Sequence, residues 1–409
     1  MLWITGPPLV LLGYIIAWLD RKVKFPLPFP RDVDQLAKNR KWCIRTLKEN
    51  GILPVDAEVH EYKVTPIAQA LIFRSNAGFI EIKYDYNGKS KSLKCFAKFA
   101  PIKGSVWNKT IFNIQMNHLK ESFFNRYFII PDAEVPAPEV YCAELSILTG
   151  NLCLITESMD SCFEYHESAN ENFPSEHLEM VLEGMASLHA KYWHDTSKRM
   201  QKVIPIQDSL VDVFDSLVMF KWSVPARKIL VKSWCLMNRH ETVIHGDARI
   251  GNMMFPKTDG NGRFVFIDWQ AVRHGKAAFD LAYFLILSMT SDYRKAKEMQ
   301  AIERYYNKLI SKGVQDYTKE QMEEDYRHAC LCVLVLLSLP MLSGEASVEG
   351  DGALLFAYGM NIWRELLKVK FSEFDYTWTA KQYEISEQQG RDAVAEMLEV
   401  IERRLKRIK

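Results

Sequence analysis

Two short stretches of the chain hold acidic and amide side chains at a spacing suited to moving a phosphoryl group. The first reads His245-Gly246-Asp247-Ala248-Arg249-Ile250-Gly251-Asn252, and the second reads Val265-Phe266-Ile267-Asp268-Trp269-Gln270. Phosphoryl transfer asks little covalent chemistry of a protein. It needs a group that orients the attacking hydroxyl and oxygen ligands that hold Mg²⁺ against the phosphates. Asp247 suits the first task; Asn252, farther along the same loop, offers an amide oxygen to a metal, and Asp268 a carboxylate that bridges Mg²⁺ to a nucleotide. Taken singly, each has a structural job open to it: Asp247 opening a turn, Asn252 capping a helix, Asp268 closing a strand.

Such residues act together only if strands and helices deliver them to one place. Val33, Leu36, Cys43 and Leu47 recur at helical spacing until Gly51, which predicts a leading amphipathic helix. The period then shortens. Ala70 to Phe73, Phe79 to Tyr86 and Leu93 to Phe99 read as strands, parted by Ser75-Asn76-Ala77-Gly78 and by Asn87-Gly88. A helix over Lys109 to Arg126 and a strand over Leu152 to Thr156 complete a small mixed lobe. Beyond Glu157 the pattern is helical, over Glu176 to Trp193, Ser209 to Asn238, Phe279 to Met289 and Lys319 to Leu342, with short strands only between Thr242 and Trp269.

The two motifs together, His-Gly-Asp with its later Asn and a hydrophobic strand ending in Asp-Trp-Gln, resemble the aminoglycoside and choline kinase superfamily. The nearest resemblance is to its ecdysteroid-kinase-like, CHK-type branch. Asp280-Leu281-Ala282-Tyr283-Phe284 and Leu188-His189-Ala190 with Tyr192-Trp193 agree with it, so the likeness runs in order from Val64 to Leu367. It implies a small β-rich N-lobe and a large helical C-lobe, with ATP and Mg²⁺ as cofactors and a hydroxyl of a small molecule as acceptor. It also implies a strand lysine gripping phosphate and a helix glutamate holding it, which places these roles on Lys98 and Glu121. Glu157 and Met159 fall where a hinge meets adenine, and His245, Arg249 and Asp280 fall in supporting positions around the loop. The expected phosphate-covering turn, Arg74 to Gly78, departs from a glycine-rich loop because it offers only Gly78.

Composition bounds the rest. The chain has 409 residues, 48% hydrophobic and 25% charged, enough for two lobes with a core. A net charge of +1 leaves no global field to hold nucleic acid. The 8 cysteines are scattered, as free thiols of a reducing compartment are. From Leu2 to Leu19 there is no charge, and Asp20, Arg21, Lys22 and Lys24 follow, which predicts a single membrane anchor broken near its start by Gly6-Pro7-Pro8. A cleaved signal peptide and a helix docked on a partner are the rivals to that reading.

The expectation is therefore an α+β, two-lobed kinase-like fold, with residues 1–24 as anchor, 25–158 as leading helix and N-lobe, and 159–409 as C-lobe. The expected function is ATP- and Mg²⁺-dependent O-phosphotransfer to a sterol, lipid, sugar or amino-alcohol type of hydroxyl, a membrane-dissolved acceptor being favoured by the anchor. A catalytically silent accessory subunit of a membrane complex is the alternative. The anchor would make the chain single-pass, its body on the cytosolic or matrix side of the endoplasmic reticulum or the mitochondrial inner membrane. A protein kinase is disfavoured: the loop reads His-Gly-Asp, and no Asp-Phe-Gly to Ala-Pro-Glu segment follows.

Overall fold

The structure, a computed structural model, describes residues 2–67, 76–100, 117–130, 132, 134–159, 163–165, 173–195, 197, 222–237, 239, 241–257, 263–338 and 351–408. The expected strand at Ala70 to Phe73, the turn residues Arg74 and Ser75, the first part of the Lys109 helix and the stretch from Ser209 to Lys221 lie outside the described residues.

The small lobe is one antiparallel sheet in the order β1-β2-β3-β5-β4, from Glu58–Pro66, Asn76–Tyr86, Lys89–Phe99, Asn151–Glu157 and Val140–Ser146 respectively. Asn87 and Gly88, both at positive φ, make the two-residue turn that joins β2 to β3. The leading helix is two helices, α2 (Val33–Lys38) and α3 (Arg40–Glu49), because Asn39 leaves helical geometry between them. Val33, Leu36, Cys43 and Leu47 still line one buried side, packed with Ile80, Ile82, Cys95 and Ile155. The helix α4 (Asn117–Phe124) lies against this sheet and loosens into a wider turn over Asn125–Ile129.

The large lobe packs its helices around α7 (Ala278–Leu287), every residue of which is buried. Around it stand α5 (Ser175–Lys191), α8 (Ser291–Ser311), α9 (Lys319–Ser338) and α10 (Asp351–Ser372). The helix α6 (Val224–Met237) packs against α9, and the lobe also carries the short strands β6 (Phe163–Tyr165), β7 (Thr242–Ile244), β8 (Met253–Pro256), β9 (Val265–Phe266) and β10 (Arg273–Gly275), paired as β10-β7 and β6-β8-β9. The helices α11 (Tyr376–Tyr383) and α12 (Glu387–Ile408) close the lobe.

The membrane anchor must be corrected. Among the described residues, no helix is long and apolar enough to cross a membrane. The helix α1 runs Leu2–Val23, straight through Gly6-Pro7-Pro8. Its C-terminal end is built into the protein: Ala17 and Asp20 are buried, Asp20 Oδ1 pairs with Arg31 Nη1 at 2.9 Å, and Asn151 Nδ2 in β5 donates to Asp20 Oδ2 at 3.0 Å. A charge that serves a protein contact cannot also face lipid. The single-pass topology, the two membranes named for it and the membrane-complex partners fall with the anchor.

Candidate functional site

Strand β3 alternates inward, placing Ala97 and Phe99 in the core while Lys98 points to the opposite side. A lysine there costs free energy unless acids meet it. Two do: Lys98 Nζ donates to Glu121 Oε1 of α4 at 2.7 Å and to Asp268 Oδ1 at 2.6 Å. Burial works against the ammonium, yet Asp268 and then Glu121 hold its pKa above the ordinary lysine value. One cation cannot satisfy two carboxylates equally. Burial would push Asp268 up too, but Lys98, helped by Arg249, holds it below its ordinary value. Burial wins at Glu121, whose pKa is raised, and its Oε2 has no hydrogen-bond partner among the described residues.

Asp268 has a left-handed backbone (φ 65, ψ 63) at the start of a single tight turn, Trp269–Ala271. A non-glycine residue rarely stays there without support. Trp269 supplies some of it: its indole is buried against Phe124 of α4, with ring centroids 4.7 Å apart, and its Nε1 donates to Phe266 O. Gln270 Nε2 donates to Asp268 Oδ2 at 3.1 Å. These contacts turn the carboxylate toward Lys98.

The second stretch is tied to the first by backbone, since Ile267 N donates to Asn252 O at 2.9 Å. The Asn252 amide nitrogen donates both to Asp247 O and to Asp247 Oδ2, each at 2.8 Å. That fixes which end of the amide is nitrogen and leaves Oδ1 as the outward acceptor. Arg249 Nε stands 3.7 Å from Asp247 Oδ1. The loop backbone is held from below. Asp280 accepts from His245 N at 2.6 Å and Gly246 N at 2.9 Å, and His189 Nε2 meets the same carboxylate at 3.2 Å. Although burial disfavours its charge, the His189 hydrogen bond helps to keep the Asp280 pKa below its ordinary value. Gly246 sits at φ +82, where a Cβ would collide with Ala271 O and Arg273 Nη1.

His245 is buried and its pKa is lowered by that burial, so the ring is neutral. Its contacts define the tautomer: Nε2 faces Ile267 O at 3.0 Å and must donate, while Nδ1 accepts from Asp247 N at 3.3 Å. His189 is a satisfied core histidine, bonded through Nδ1 to Tyr305 of α8 at 2.5 Å.

The remaining expected residues lie along β2 and at the end of β5. Gly78 lies within β2, opposite Pro66 and Ala97, and its missing side chain makes room for Val33 of α2. Glu157 closes β5 with its N–H on Glu139 O and its Oε1 paired with Arg263 Nη2 at 2.5 Å, and Met159 is buried just beyond. In the sequence Gln270 stands only as part of the Asp-Trp-Gln motif, without a role, and Tyr305 is not marked. Gln270 lies within the motif, whereas nothing local marks Tyr305.

A β-rich lobe carrying a lysine–glutamate pair, set over a helical lobe that carries an Asp-containing loop and a strand-end Asp, defines a two-lobed kinase-like fold. Residues 155–315 match the model of the ecdysteroid kinase-like family. An uncharacterized kinase-like protein of Caenorhabditis elegans is 29% identical over 86 residues, a match that covers 21% of this chain and 23% of that protein. Among solved structures, the Plasmodium vivax ethanolamine kinase is 16% identical at TM-score 0.47, covering 83% of this chain and 95% of that one. A microcompartment-associated aminopropanol kinase is 10% identical at TM-score 0.41, over 81% of this chain and 98% of that one.

Proposed function

We propose that the chain is an ATP- and Mg²⁺-dependent phosphotransferase acting on a hydroxyl of a small molecule. The observation that carries this reading is the continuous chain of contacts from Glu121 through Lys98 to Asp268, and from Ile267 through Asn252 to Asp247. It joins a phosphate-gripping cation, two metal-ligating oxygens and a proton-accepting carboxylate in one site.

The residues fit a divalent cation. Two carboxylates share one ammonium, so the site has room for more positive charge. Among the described residues no group of three or more His, Cys, Asp or Glu side chains is placed to hold a metal ion. Mg²⁺ takes one or two protein oxygens and completes its shell with water and phosphate. Asp268 and Asn252 Oδ1 would hold it, and when bound it would draw charge from the transferring phosphoryl group. Lys98, kept in place by Glu121, binds phosphate oxygens. Asp247 orients the acceptor hydroxyl and takes its proton. Glu157 and Met159 border the adenine side, and Gly78 belongs to the strand that roofs the phosphates.

The acceptor is an alcohol of sterol, lipid, sugar or amino-alcohol type. With the anchor withdrawn, a membrane-dissolved acceptor has no special claim. The test is thermal unfolding with and without millimolar Mg²⁺-ATP, followed by ADP release over a panel of these alcohols. A ligand that binds only the folded chain raises its melting temperature, here by about 2 °C or more. No rise, or no alcohol-dependent ADP, would leave a silent kinase fold.

A further inference from the structure

The two motif stretches meet at a ribbon of two strands. Strand β10 runs antiparallel to β7 and sets Arg273 opposite Ile244, from which the chain turns into His245-Gly246-Asp247. The tight turn that starts from Asp268 ends at Ala271, just ahead of the same arginine. Arg273 therefore stands where both loops leave the ribbon. Its Nη1 donates to Gly246 O and to Ala271 O, each at 3.4 Å. The side chain is buried, and its guanidinium lies over the Phe279 ring of α7, 4.5 Å from the centroid. The fit around it is close, since a Cβ on Gly246 would stand 2.3 Å from both Ala271 O and Arg273 Nη1.

Gly246 O belongs to the peptide that leads into Asp247. That peptide is planar and trans, so its C=O and N–H point opposite ways. Arg273 holds the oxygen, while His245 Nδ1 accepts from the Asp247 N–H at 3.3 Å. Held at both ends, the plane fixes the direction in which the Asp247 side chain leaves the backbone. The bond to Ala271 O ties the same plane to the turn that carries Asp268.

Resting on the roles of Asp247 and Asp268 given above, we propose that Arg273 is a positioning residue for phosphoryl transfer. Its guanidinium clamps the Gly246 and Ala271 carbonyls together, and so sets the separation of the acceptor-orienting carboxylate from the metal-side one. Arg273 touches neither phosphate nor acceptor and acts only through these two loops. A lysine keeps the charge but is shorter and lacks the planar fork, so it holds neither carbonyl in a fixed direction.

The experiment uses the full chain, with water as acceptor in Mg²⁺-ATP hydrolysis. Misplacing a reacting group by about 1 Å costs about 100-fold in rate, so Arg273→Met should lower kcat by about that factor. The KM for ATP should stay within about two-fold of wild type, because Lys98 and its strand are untouched. Arg273→Lys should fall between, at about ten-fold, and it carries the test if Arg273→Met does not fold. Amide hydrogen exchange needs no turnover. In Arg273→Lys the stretches 244–250 and 268–273 should both exchange at least about ten-fold faster, with α8 and α9 unchanged. An even rise across the whole large lobe, or a kcat within about two-fold of wild type in Arg273→Lys, would overturn the clamp. A wild-type chain that neither hydrolyses Mg²⁺-ATP nor is stabilised by it would defeat the reading of the site itself, and the exchange pattern would still decide whether Arg273 holds the two loops together.

Discussion

Lys98 Nζ and Asp268 Oδ1 stand 2.6 Å apart across 170 residues of sequence, so one hydrogen bond joins the small lobe to the loop of the large one. The same ammonium holds Glu121, and the three groups rise or fall together.

Lys98→Met should cost about 3 kcal/mol of stability, because it leaves the buried Glu121 facing Asp268 with no cation between them. Urea unfolding measures it. Glu121→Gln added to Lys98→Met should recover part of the loss, and a purely additive cycle would mean that the two residues are not coupled.

Asp268→Asn keeps the shape of the side chain and removes its charge. The Mg²⁺ concentration for half-maximal ATP-dependent stabilisation should rise at least about ten-fold. An unchanged midpoint would remove Asp268 from the metal.

Asp280→Ala strips the acceptor from two buried backbone N–H groups, those of His245 and Gly246. A loss of about 3 kcal/mol or more is expected, together with slower turnover in whatever folded protein remains. Amide hydrogen exchange at Gly246 should accelerate in step.

His328 is buried beside Tyr383, and burial lowers its pKa from 6.5 to about 4. Its neutral form stabilises the fold above the unfolded-state value. As pH falls from about 6.5 to about 4 the unfolded chain gains the proton first, and up to about 3 kcal/mol is lost. Denaturation at a series of pH values should show that slope, and His328→Asn should flatten it.

Strands and helices with a clean period were legible in the sequence, as Phe79 to Tyr86 and Leu93 to Phe99 lie within β2 and β3. Strand β1 was not, because its residues are exposed or half-buried and leave no apolar alternation to read. The anchor was misread for a related reason. Hydropathy counts residues without seeing which side of α1 meets protein, and Asp20 marks the packed side. Lys98 drew notice as a charge inside an apolar strand. Its contact with Asp268 had no local signal, since only folding brings β3 to the end of β9. Gly78 suggested a phosphate loop, whereas its Cβ position is filled by Val33.

The seat of α1 has a practical corollary. A shortened chain begun at residue 25, of the kind made to ease expression, would take Asp20 from Arg31 and from Asn151 at once. Because Asn151 opens the strand whose Leu154 pairs with Lys98, the injury would travel along β5 toward the very lysine such a trimmed protein would be made to study.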